Sequence, residues 1–94
     1  MKLTPNQLDM EMRQLPDWKM NTNGEIEKTF TQTGFPQSLL FANSVGLLAE
    51  SKSHHPDILI QWNKVRLTLS THDAGGLSAK DFELAKLINL LPSI

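Results

Sequence analysis

Between Ile58 and Leu69 apolar residues fall on alternate positions twice over. Ile58, Ile60 and Trp62 run against Leu59 and Gln61, then Val65, Leu67 and Leu69 run against Lys64, Arg66, Thr68 and Ser70. A strand turns successive side chains to opposite faces, so the pattern predicts two half-buried strands joined near Asn63-Lys64. A second pair is predicted around Asn23-Gly24, because both residues tolerate the positive φ that a type I′ turn demands. There Trp18 opens an extended segment, and past the turn Ile26, Lys28, Phe30 and Gln32 share one face while Glu27, Thr29 and Thr31 share the other. Strand pairs joined by tight turns restrict the chain to antiparallel pairing.

Helical patterns fill the intervals. Thr4-Pro5-Asn6-Gln7 combines a cap, a proline at the first helical position and a glutamine placed to reach back, so a helix is predicted over about 5 to 14, with Leu8, Met12 and Leu15 as its buried stripe and Pro16 ending it. A longer helix is predicted over about 36 to 53. Leu40 and Leu47 form one stripe on it, and Phe41, Val45 and Leu48 another, so one side can face the sheet and the other a second subunit. Ser78-Ala79-Lys80-Asp81 opens a last helix with Phe82, Ala85 and Ile88 on its apolar face, flanked by Leu84, Leu87 and Leu91. The order is helix, strand, strand, helix, strand, strand, helix. It predicts an α+β domain, a four-stranded antiparallel sheet with three helices packed mainly on one face.

Composition narrows the function classes. Ninety-four residues suit one domain, 1–94, with a single core and no separate cofactor domain. The formal net charge of -1 is spread along the chain, leaving no basic stripe to neutralise a phosphate backbone, so direct nucleic-acid binding is not expected. Without cysteine there is neither a disulfide framework nor a thiolate metal site. The first residues lack a signal-peptide core and no segment reaches the length of a membrane span, so a cytoplasmic location is expected.

The chemistry is concentrated in the imidazoles. His54 and His55 are adjacent and precede Pro56, and His72 is the only other histidine. Imidazole titrates nearest neutrality and can donate a proton in one step and accept one in the next, so the cluster reads as proton-transfer machinery. Pro56 holds His55 in an extended conformation, which turns the neighbouring rings apart. His72 falls on the polar side of its strand or just past its end. Glu50, one helical turn before His54, is placed to hydrogen-bond an imidazole, and Asp81 is placed to cap the last helix. Three imidazoles also suit catalytic zinc, but adjacent rings that diverge are an awkward ligand pair.

Glu50, His54-His55-Pro56, Trp62-Asn63-Lys64-Val65, Ser70-Thr71-His72-Asp73, Gly75-Gly76-Leu77 and Asp81 together resemble the pterin-4a-carbinolamine dehydratases, over a stretch from about Trp18 to Ile88. The resemblance implies a four-stranded antiparallel sheet with three helices. It implies dehydration of 4a-hydroxytetrahydrobiopterin to quinonoid dihydrobiopterin, in support of tetrahydrobiopterin recycling, with no metal and no cofactor. It makes His54, His55 and His72 the catalytic set, with Glu50 and Asp81 supporting them and Trp18, Trp62, Ser70 and Thr71 as candidates for pterin contact. It also implies a homodimer or homotetramer, with an aromatic amino acid hydroxylase or a regulatory protein as a further partner. The alternative on the same fold is a non-catalytic dimerisation cofactor or assembly protein. Ser53 stands where several family members carry an acidic residue, and Lys80 where basic residues vary.

Overall fold

Local chemistry starts each helix where the residues specify it. Thr4 accepts from the Gln7 N–H while Gln7 Oε1 accepts from the Thr4 N–H at 2.8 Å, and α1 (Pro5–Arg13) begins on its proline. The long helix α2 (Phe35–Ser51) also carries a proline in its first turn, and α3 (Ala79–Asn89) opens on a reciprocal cap between Ser78 and Asp81. The structure, a computed structural model, describes residues 1–92, so the last two positions of the expected 1–94 domain lie outside the described residues.

Four strands, β1 (Lys19–Met20), β2 (Ile26–Thr31), β3 (Asp57–Gln61) and β4 (Lys64–Leu69), form one sheet in the order β1-β2-β4-β3 with every pairing antiparallel. In register, Ile26 opposes Leu69, Lys28 opposes Leu67 and Phe30 opposes Val65, which sets one row across the central strands that is apolar but for Lys28. Helix residues Phe41, Val45 and Ala49 from α2 and Phe82, Ala85 and Ile88 from α3 pack on that face as one core. Burying the phenylalanine, valine and isoleucine side chains among them contributes roughly 1.5–3 kcal/mol each. The opposite face carries Glu27 beside Thr68 and Thr29 beside Arg66, none of them buried. The α+β architecture read from periodicity is the one observed.

Differences from expectation are local. The β1–β2 connection is not a type I′ turn, since Asn23 does not take a positive φ. The chain reverses over three residues, with Gly24 alone left-handed at φ 75° and Asn21 N–H donating to Glu25 O at 2.8 Å. Asn21 Oδ1 accepts from the N–H groups of Asn23 and Glu25, and this side-chain bracing removes the need for a second positive φ. The β3–β4 turn is Trp62-Asn63, one residue earlier than read, because Lys64 is already paired with Gln61 and Thr31. Trp62 therefore leaves the strand at φ 49° and stands exposed. On α2 the two stripes part as expected: Phe41 and Val45 are buried, whereas Leu40 and Leu47 are exposed.

Candidate active site

The end of α2 sets the direction of the histidine pair. Ser53 N–H donates to Glu50 O at 3.0 Å and His54 N–H to Ala49 O at 3.2 Å, with Ser53 left-handed at φ 51°. These are the two bonds of a Schellman cap, in which the position taken here by Ser53 usually belongs to glycine. The helix stops two residues before the expected 53, and the reversed backbone sends His54 inward and His55 outward.

His54 meets α3. Its Nε2 lies 2.6 Å from Asp81 Oδ1, with the Asp81 side chain fully buried and that of His54 only 11% exposed. The other carboxylate oxygen, Oδ2, accepts from Thr71 Oγ1 at 2.8 Å and from the Ser78 N–H at 2.9 Å. Ser78 Oγ in turn lies 2.6 Å from Thr71 Oγ1. Among the described residues no buried side-chain nitrogen or oxygen lacks a hydrogen-bond partner, so this network is closed. Capping α3 and bracing an imidazole, weighed separately from the sequence, are one task for Asp81: one oxygen does each. A carboxylate only accepts, so Nε2 of His54 carries the proton and Nδ1 is the nitrogen left for other chemistry.

Glu50 also braces an imidazole, but that of His55, with Oε1 2.8 Å from Nε2 and both side chains well exposed. The early end of α2 explains why the partner is His55 and not the residue one helical turn on. His72 begins a short 3₁₀ turn (His72–Ala74) past β4, between a bridge that pairs Thr71 with Gly76 and a left-handed Gly75 at φ 73°.

His54, His55 and His72 converge on one cavity of about 210 Å³. Ser70 and Thr71 also line it, as do Ser53, Asp73 and Lys80, which residue-type reasoning had not placed there. Ser53 was findable from its position just past a helix end, where a residue must reverse the chain; Asp73 and Lys80 arrive only through the loop and the start of α3. The two tryptophans do not line this cavity. Trp18 is 2% exposed in the core, edge-on to Phe30, with its indole N–H donating to Asn89 at 3.0 Å. Trp62 is on the β3–β4 turn. Among the described residues no group of three or more His, Cys, Asp or Glu side chains is placed to hold a metal ion, and no helix is long and apolar enough to cross a membrane.

A small antiparallel α+β domain with a carboxylate-braced imidazole cleft defines a class capable of acid–base chemistry. Residues 1–91 match the family model described as pterin 4 alpha carbinolamine dehydratase. A protein of Chloroflexus aggregans carrying that activity as a provisional name is 46% identical over 88 residues, covering 94% of each chain. One of Thermosynechococcus vestitus, named likewise, is 41% identical over 96% of this chain and 94% of its own. Among solved structures, a transcriptional coactivator/pterin dehydratase from Brucella melitensis superposes with a TM-score of 0.88 at 28% identity, covering 95% of this chain and 96% of its own. This chain belongs to the pterin 4 alpha carbinolamine dehydratase family.

Proposed function

We propose that the chain dehydrates 4a-hydroxytetrahydrobiopterin to quinonoid dihydrobiopterin and water, as a carbon–oxygen lyase, with His54, His55 and His72 as the proton-transfer groups. The observation that carries this reading is the meeting of all three imidazoles around one cavity, two of them braced by carboxylates. The reaction breaks the C4a–O bond, and the departing hydroxyl takes a proton to leave as water. N5 loses its proton, and its electrons form the N5–C4a double bond. One imidazolium and one neutral imidazole suffice for the two transfers, and the proton taken from N5 restores the acid for the next turnover. Assistance of this kind contributes roughly a hundred- to ten-thousand-fold.

Asp81 and Glu50 act as positioning residues, and Ser70 and Thr71 line the cavity where the pterin edge is held. The alternative of a non-catalytic dimerisation cofactor is not favoured, because a scaffold has no use for three imidazoles gathered around one cavity.

Homodimer or homotetramer formation belongs to the same proposal. It is supported by the exposed Leu40 and Leu47 of α2 and by β3, an edge strand whose Ile58 is also exposed. We place the protein in the cytoplasm, where a reduced pterin would be recycled.

The test is a stopped-flow assay in which freshly generated 4a-hydroxytetrahydrobiopterin is mixed with the protein and the spontaneous rate subtracted. Acceleration that survives a metal chelator supports the reading; a rate equal to background overturns it.

A further inference from the structure

The cleft does not end at His72. Beyond it a second cavity of about 210 Å³ reaches the β1–β2 turn, bounded by Asn23, Gly24 and Glu25 on one side and Gly75 on the other. Ser70, Thr71 and His72 line both cavities, so His72 stands at their junction. The far lobe is made of polar groups and bare backbone. Gly24 and Gly75 are left-handed, with their N–H groups donating to Asn21 O and His72 O, and a Cβ built on either would meet nothing within 4 Å, so open space lies beside both turns. Glu25 is half-buried and held in place: Asn21 Nδ2 donates to its Oε1 at 3.0 Å, and Asn21 Oδ1 accepts from its N–H at 2.9 Å. A larger cavity of about 550 Å³ opens on the α3 side, where it shares Thr71, Asp73 and Lys80 with the histidine cleft but touches no histidine.

Resting on the dehydratase reading, we infer that the lobe between His72 and Glu25 receives the hydroxylated C6 substituent of the pterin, and that Glu25 determines specificity for it. The chemistry of the ring requires such a neighbour. N5 is bonded both to C4a, which loses the hydroxyl, and to C6, so a chain at C6 leaves the ring one bond from the reacting atoms. It must enter a space that touches an imidazole, which the His72 lobe does and the α3-side cavity does not. A carboxylate accepts hydrogen bonds from vicinal hydroxyls, and the open space beside Gly24 and Gly75 gives the chain room to reach it. An alkyl substituent at C6 has nothing to offer that carboxylate.

The experiment compares kcat/KM for 4a-hydroxytetrahydropterins carrying a 1,2-dihydroxypropyl or a methyl group at C6, after background subtraction, in the unmodified chain, Glu25→Ala and Glu25→Gln. The unmodified chain prefers the diol by about tenfold, the effect of a hydrogen bond to a charged acceptor. Glu25→Ala removes the preference by slowing the diol alone, and Glu25→Gln, which keeps an acceptor oxygen, retains part of it. Asn23 supports the turn through its backbone N–H, so Asn23→Ala keeps that bond and lowers the preference by a smaller factor; it stands in if Glu25→Ala fails to fold. An unchanged diol-to-methyl ratio in the Glu25 variants, or in Glu25→Gln and Asn23→Ala together, overturns the assignment, and so does an equal loss for both substrates. Either result leaves the dehydratase reading standing. Turnover of neither substrate by the unmodified chain removes that reading, and this inference with it.

Discussion

His54 and His55 are neighbours in sequence, and each turns Nε2 to a carboxylate, at 2.6 Å from Asp81 and 2.8 Å from Glu50. Their surroundings differ far more than those distances. Asp81 is fully buried and His54 nearly so, whereas the side chains of His55 and Glu50 are 66% and 78% exposed. Water competes for the outer pair and screens it, so such a pair contributes between about 0 and 1 kcal/mol. The inner carboxylate has three donors and no water to replace them, so a lost partner leaves buried polar groups unsatisfied. The inner pair therefore fixes a ring and a tautomer as part of the fold, while the outer pair only biases an exposed ring. One left-handed serine produces both environments, since reversing the backbone at Ser53 sends consecutive side chains to opposite media.

The comparison breaks most visibly in catalysis. His54→Gln lowers the background-corrected dehydration rate by roughly a hundred- to ten-thousand-fold; a loss below tenfold would mean that the braced ring is not a proton-transfer group.

Stability gives the next largest contrast. Asp81→Ala strips the acceptor from Thr71, the Ser78 N–H and His54 at once and lowers unfolding stability by about 2–4 kcal/mol, whereas Glu50→Ala shifts it by no more than about 0.5 kcal/mol. Urea midpoints at unchanged slope measure both. Equal shifts would erase the distinction between the pairs.

Ser53→Gly relieves the left-handed backbone and raises stability by about 0.5–1 kcal/mol, and Ser53→Val lowers it by a similar amount, read from thermal unfolding. A stabilising Val would show that this turn is not strained.

The architecture was legible because each element carries its own signal. Thr4 with Gln7 and Ser78 with Asp81 specify helix starts through reciprocal bonds only three residues apart, and the alternation of Val65, Leu67 and Leu69 assigns a face without knowledge of any partner. The histidines were legible as a group because imidazole has few other uses in so small a set. What sequence does not carry is who meets whom across long separations. Asp81 lies 27 residues from His54, and only the packing of α3 against the end of α2 joins them. Trp18 could be read as a pterin wall or, more readily, as core, since an aromatic in an extended segment satisfies both patterns, and its bond to Asn89 spans 71 residues. The β1–β2 turn departs from expectation for a local reason: Asn23-Gly24 is a strong pair signal, but Asn21, two residues earlier, supplies a side chain that stabilises a longer connection.

The most direct measurement sets Asp81→Asn beside Glu50→Gln in the background-corrected stopped-flow assay, with circular dichroism confirming that both variants are folded. If the inner pair carries the proton chemistry, Asp81→Asn loses more than tenfold in rate and Glu50→Gln stays within about threefold of the unmodified chain, since about 1.4 kcal/mol separates each decade. A folded Asp81→Asn that turns over at the unmodified rate, or a Glu50→Gln that is the more damaged of the two, contradicts the account.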